Sequence, residues 1–233
     1  MKALGKDERE QIFRLFLKDE KLRFSEIEKD LKIRSNMVTY HLEQMQKKGL
    51  IEKKGFHYSL TRKAEQYIPI IPNLQGEKMS PLPVILVAVV KDDKILLIKR
   101  SNRPYKGYWC MIGGKMLLEE SFEEASARVV KQKSGLDAKY DQMCGVMHER
   151  VWGGVDVKHS FILFLTKMSA DDQKTMPGEY GELRWFLLKE LGKEKIIPSD
   201  YWLIKHKLGS KIDVKSAAMT DNENNLEDFK IIH

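Results

Sequence analysis

Apolar residues recur three and four positions apart through the first third of the chain, the spacing of a helix with one buried face. Ile12, Phe13, Phe16 and Leu17 line up this way, as do Ile27 with Leu31, and Val38, Leu42 and Met45. Three helices are predicted. Asp7 with Glu10 and Ser25 with Glu28 have the spacing of capping pairs for the first two. Ser35 is expected to cap the third, and Gly49 to end it. Leu50 and Ile51 then begin a strand, KKGF turns the chain, HYSLT returns it, and Thr61 caps a fourth helix in RKAEQYI.

Farther along the pattern changes. Residues 84–90 and 94–100 read as two strands joined by a KDD hairpin turn. One helix follows, opened by Ser121 with Glu124 and closed by Gly135. HSFILFL reads as a buried strand, and ELRWFLLKEL as a strand leading into a last helix, IPSDYWLIKHKL. Between the halves, IPIIPNLQGEKMSPLP holds four of the seven prolines and keeps no period, so it reads as a linker. The expected organisation is α/β with two domains: residues 1–68, a linker at 69–82, a second domain at 83–209 and a tail at 210–233. In the tail, SAAMTDNENN is polar enough to be disordered or loosely docked, and LEDFKII could add a short strand.

Composition narrows the setting. Of 233 residues, 42% are hydrophobic and 32% charged, which suits a soluble protein with a real core. The longest apolar run, 84–90, is far short of the ~18 residues a membrane span needs. The N-terminus lacks the apolar stretch of an export signal. Cys110 and Cys144 form no CxxC, which argues against zinc, and a reducing cytoplasm fits. Net charge is +7, and residues 1–75 carry 16 Lys and Arg against 11 Asp and Glu. A basic N-terminal third points to nucleic acid rather than a membrane.

The run MVTYHLEQMQKKGLIEKKGFHYSLTRKA resembles the winged helix-turn-helix of ArsR-type repressors. The resemblance covers about residues 7–68 and implies a homodimer that binds double-stranded DNA. The third helix would enter the major groove with Ser35, Asn36, Thr39 and Tyr40 on its exposed side. Arg34, Lys53, Lys54 and His57 would lie near the phosphates. His41 precedes a core leucine and receives no metal role.

Residues 114–136, GKMLLEESFEEASARVVKQKSGL, are similar to the Nudix box. Gly114, Glu120, Arg128, Val130, Gly135 and Leu136 fall on its frame, and GYWCMIGG resembles its lead-in, with Ile112 where that lead-in has proline. The resemblance implies a Nudix α/β/α sandwich over roughly residues 82–208. In that family three further glutamates share one helical face and hold Mg²⁺ or Mn²⁺. Here their places hold Val129, Gln132 and Lys133, spaced i, i+3 and i+4. No catalytic residue and no cofactor are therefore expected. The cleft would still take a nucleotide or sugar phosphate, with Arg100, Arg103, Lys115, Arg128, Lys133 and Trp152 as candidate contacts.

The expected function is a DNA-binding transcriptional regulator whose degenerate Nudix domain senses a phosphorylated ligand. Two alternatives stand beside it. One is an active Mg²⁺-dependent pyrophosphatase whose metal is held by Glu120, Glu123 and Glu124, helped by Glu149, Glu179 or Glu182. The other is a scaffold in which both modules bind protein.

Overall fold

A computed structural model describes residues 7–68, 80–176, 180–222 and 225–232. The chain divides near residue 80 into two compact units. The first contains α1 (Asp7–Leu15), β1 (Leu22–Arg23), α2 (Phe24–Leu31), α3 (Ser35–Lys47), β2 (Ile51–Lys54), β3 (His57–Leu60) and α4 (Arg62–Glu65). Its strands pair antiparallel in the order β1-β3-β2. Ile12, Phe13, Ile27, Leu31, Val38, Leu42 and Met45 meet in one core, as the helical spacing predicts. Leu17 lies outside it, 39% exposed, because α1 ends two residues earlier.

The helix starts differ from expectation. α2 begins ahead of Ser25: the Arg23 N–H donates to Glu26 Oε2 at 2.6 Å. The carboxylate nearest the free N–H takes the capping role, and Ser25 falls inside the first turn. This leaves Glu28 free to accept from the Ser35 hydroxyl. Ser35 is therefore the first residue of α3 and not its cap, which is Arg34. Thr61 does cap α4, accepting from Ala64 N at 3.2 Å and donating to Gly49 O at 2.7 Å. That helix stops at Glu65, short of the predicted RKAEQYI.

The expected linker, 69–82, lies largely outside the described residues. The second unit opens with β4 (Leu82–Lys91), β5 (Lys94–Arg100), β6 (Trp109–Cys110) and β7 (Ile112–Gly114). α5 (Phe122–Ser134), β8 (Ala138–Gly153) and β9 (Asp156–Ala170) follow. β10 (Gly181–Leu187), a 3-10 turn (Leu188–Lys193) and α6 (Pro198–Lys207) complete it. The sheet runs β10-β5-β4-β9-β8, with β6 on β5 and β7 on β4. β4 and β9 are parallel, and the other pairs antiparallel.

Side chains alternate across β4, as a strand buried on both faces requires. Leu86, Ala88 and Val90 enter the core under α6, with Leu203 and Ile204. Ile85, Val87 and Val89 enter the core under α5, with Ala125, Val129 and Val130. The result is a helix on each side of one sheet. Trp109 packs edge-on to Phe186, with ring centroids 4.8 Å apart, and is a core residue.

In the tail SAAMTDN forms β11 (Ser216–Asn222), which pairs antiparallel with β12 (Asn225–Ile232), the strand expected in LEDFKII. A polar run acquires a strand here because its backbone groups find a ladder partner in the segment that follows. Among the described residues, no helix is long and apolar enough to cross a membrane.

Candidate functional site

The loop before α5 and the helix itself are tied by one ion pair. Arg128 Nη2 donates to Glu120 Oε2 at 2.7 Å and to the Lys115 carbonyl at 2.8 Å, and its Nε also donates to Glu120. Glu120 Oε2 accepts from Leu117 N at 2.8 Å. The Arg128 hydrogen bond holds the Glu120 carboxyl below the usual range, and Glu120 in turn raises Arg128. At the helix start, Ser121 Oγ accepts from Glu124 N at 3.2 Å while Glu124 Oε2 accepts from Ser121 N at 2.8 Å. The bond from the Ser121 backbone lowers Glu124. At the other end Gly135 takes φ 75°, the left-handed cap conformation, and its N–H reaches Lys131 O at 2.9 Å.

The face that would present acids to a cation has other occupants. Val129 is buried, and its Cγ2 lies 2.8 Å from where a Cβ on Gly114 would sit. Gln132 accepts from Arg128 Nη1 at 3.3 Å. The Lys133 ammonium donates to the Gly113 carbonyl and lies 5.6 Å from the centre of the Tyr180 ring. Burial lowers the Lys133 pKa.

A divalent cation needs several oxygen ligands. At the three motif positions it finds a hydrocarbon, an amide already hydrogen-bonded, and a positive charge. Glu120 and Glu124 are committed to the ion pair and the cap, so the alternative set with Glu123 does not converge either. Among the described residues, no three His, Cys, Asp or Glu side chains gather to hold a metal ion. These residues do not fit the divalent ion that the fold's hydrolases use. Glu182 faces Lys99 at 3.7 Å. Glu179 lies outside the described residues.

Beside this face is a cavity of about 350 Å³. Arg100, Lys115 and Lys133 line it, with Tyr105, Phe161 and Tyr180 as aromatic surface, Val84, Leu86 and Leu163 as apolar surface, and Glu149 and Asp200 as acids. Arg100 Nε donates to Pro104 O at 2.7 Å, and its guanidinium carbon lies 5.9 Å from the Tyr105 ring centre. Asp200 is 3% exposed and accepts from Met111 N at 2.7 Å. Burial, reinforced by Glu149, pushes its pKa up to about 7. Burial and Glu149 also raise the Tyr105 hydroxyl to about 12. That hydroxyl has no hydrogen-bond partner of ordinary geometry among the described residues.

Of the six candidate ligand contacts, Arg100, Lys115 and Lys133 come together here. Three do not. Arg128 is held by Glu120, and Arg103 is exposed on the loop outside the cavity. Trp152 is 59% exposed near the tip of the β8–β9 hairpin, carried away from the cavity by strands much longer than HSFILFL implied. Asp200 and Tyr105 were not anticipated. An Asp in the first turn after a proline reads as an ordinary helix-start acid, and nothing local shows that it pairs with a residue 89 positions away.

In the first unit, Arg34, Ser35, Asn36, Thr39, Tyr40, Lys53 and Lys54 are exposed and His57 is half-buried. Several already have partners. Thr39 Oγ1 donates to Ser35 O at 3.0 Å, Lys54 pairs with Glu52 at 2.7 Å, and His57 Nε2 accepts from Arg23 Nε at 3.3 Å. Tyr40 stacks edge-on to the buried His41.

The sequence profile of the NUDIX domain matches residues 80–206. The chain is similar, at 45% identity over 58 residues, to a protein named ADP-ribose pyrophosphatase from Methanocaldococcus jannaschii. That match takes in 25% of this chain and 34% of the relative. It is 37% identical over 67 residues to a protein of Acinetobacter baylyi named ADPR responsive transcriptional repressor NtrR, covering 26% of this chain and 27% of the relative. The chain thus spans about a third or less of the length of each. Among solved structures, a MutT protein from Bacillus halodurans aligns with TM-score 0.49 and 22% identity, over 64% of this chain and 96% of that one.

Proposed function

The chain belongs to the NUDIX domain family, and from that premise we propose a transcriptional regulator whose NUDIX unit binds a nucleotide-like ligand without cleaving it. One observation carries this reading: the Lys133 ammonium rests on the Gly113 carbonyl, on the helix face where a hydrolase needs carboxylates. A phosphorylated ligand meets Lys133, Lys115 and Arg100 directly, with the aromatic rings of Tyr105, Phe161 and Tyr180 beside them for a base or sugar. A relative named as an ADPR-responsive repressor supports the pairing of ligand and regulation.

In this reading the first unit is a winged helix. Its three helices, followed by a β2–β3 hairpin, carry Asn36 and Thr39 on the open side of α3 and Lys53 and Lys54 on the hairpin. α3 reads bases, the lysines bind phosphates, and a homodimer sets two half-sites ~34 Å apart. Ligand in the NUDIX unit changes DNA affinity by linkage between the two sites.

A second reading is an ADP-ribose pyrophosphatase with an appended DNA-binding unit, favoured by the 45% identity to a protein of that name. Incubation with ADP-ribose and Mg²⁺ or Mn²⁺ separates the two. The regulator releases no AMP or ribose 5-phosphate, and steady turnover establishes the enzyme instead. A gel shift on the chain's own upstream DNA, repeated with ADP-ribose, tests the other half. Specific binding that weakens steeply with salt and moves with ligand is expected. No shift at low salt overturns the regulator.

A further inference from the structure

The closing hairpin, β11 with β12, joins none of the buried clusters among the described residues. Nearly all of its residues are exposed. A lone two-stranded hairpin is marginally stable in water until one of its faces is covered. Its side chains are nonetheless sorted. Lys230 pairs with Ala218 and Glu227 with Thr220, so β12 sets one extra residue opposite Met219. Asp228 supplies it with φ 54°, a left-handed bulge conformation that Asp tolerates. Strand side chains alternate between faces, so without the bulge Leu226 would point away from Phe229 and Ile231. With it, all three share a face with Ala217 and Met219. Met219, Leu226, Phe229 and Ile231 are each more than half exposed. Thr220, Asn222, Asn225, Glu227 and Lys230 take the opposite face. On the apolar face Asp221, opposite Leu226 at the turn end, is the charged neighbour.

Resting on the regulator reading above and its homodimer, we propose that this face packs against the same face of a second copy of the chain. A two-fold axis sets Met219 and Phe229 against their counterparts, and such a contact closes at two copies. Side chains of this exposure leave roughly 500 Å² open per chain, so two faces together cover about 1,000 Å², the lower bound for a specific interface. The charges fit a protein face better than a lipid surface or nucleic acid. Asp221, Glu227 and Asp228 outnumber Lys230 among the described residues of the hairpin, and anionic lipid or phosphate would be repelled. The chain ahead of the hairpin is tied to the edge strand β8: Ile212 N donates to Met143 O at 3.0 Å, and Gln142 Nε2 to Ser210 O at 2.7 Å. A second copy held on the hairpin is therefore held through the ligand-binding unit.

The test is sedimentation equilibrium of the full chain over about 1 to 100 µM, the range in which a small interface associates. Wild-type mass is expected to climb from one copy toward two and stop there. Phe229→Asp buries a charge in each half of the contact, so association weakens at least 10-fold and the mass stays near one copy. Its melting temperature holds, because no buried cluster loses a member. A second arm needs no loss of association. The natural cysteines, Cys110 and Cys144, are buried, so Met219→Cys supplies an accessible thiol on the apolar face. A short bismaleimide should link it into dimers, whereas Thr220→Cys on the other face should stay unlinked. A Phe229→Asp dimer as tight as wild type, or equal linking of both cysteine variants, overturns the hairpin contact and leaves the homodimer to another surface. A mass that passes two copies also overturns it, since an open chain joins unlike surfaces. A wild-type chain that stays at one copy throughout overturns the homodimer of the regulator reading as well.

Discussion

Two sides of α5 have diverged. One side ties the helix to its entry loop through Glu120, Arg128 and the Lys115 carbonyl, and it keeps the motif's Glu and Arg. The other side holds Val129, Gln132 and Lys133 where the motif has carboxylates, and of these Lys133 lines the cavity. The ion pair holds a loop whose backbone shapes the cavity wall through Gly113, Gly114 and Lys115. Removing it would alter any ligand site, cleaving or not. The carboxylates serve only the metal. A chain that binds without cutting needs the first set and gains from losing the second, because three acids beside a diphosphate repel it once no ion lies between.

The largest effect should come from breaking the retained side. Arg128→Ala leaves a mostly covered Glu120 and an unpaired Lys115 carbonyl, and is expected to lower stability by roughly 1–3 kcal/mol in urea denaturation. If Arg128→Ala melts like wild type but loses ligand, the division between the two sides is wrong. Next, Lys133→Met should weaken ADP-ribose about 10-fold, close to ~1.4 kcal/mol. Its melting temperature should be unchanged or higher, since a partly buried charge is gone. A drop in stability with affinity preserved would move Lys133 to the structural side. The smallest effect belongs to Gln132→Ala, which removes one long, exposed hydrogen bond to Arg128. Both stability and affinity should stay within ~0.5 kcal/mol of wild type. A large loss of affinity would show that the amide touches the ligand.

The same division explains what could be read from the sequence. The Ser121–Glu124 box, the Gly135 cap and the alternation along β4 are local, so a few neighbouring residues specify them. The box substitutions were legible because three residues at helical spacing must share a face. The buried end of the cavity was not. Asp200 reaches Met111 across 89 positions, and Tyr105 nears Glu149 only once the loop after β5 has folded over β8. Trp152 is a candidate ligand contact in the sequence, whereas the length of β8 and β9 places it near the tip of their hairpin. In the tail the strand in LEDFKII was legible, whereas its pairing with the polar SAAMTDN was not, because a polar run shows no period that marks a ladder partner.

Consider what it means that the positive charge on the Gly113 carbonyl is covalently part of the chain. Hydrolases of this fold borrow their cation from solution, so their readiness tracks how much magnesium or manganese is around. Lys133 is always present, one per molecule, and no chelator can strip it. In the proposed ligand-binding role, the charge that meets the phosphates would then need no divalent ion to complete the site.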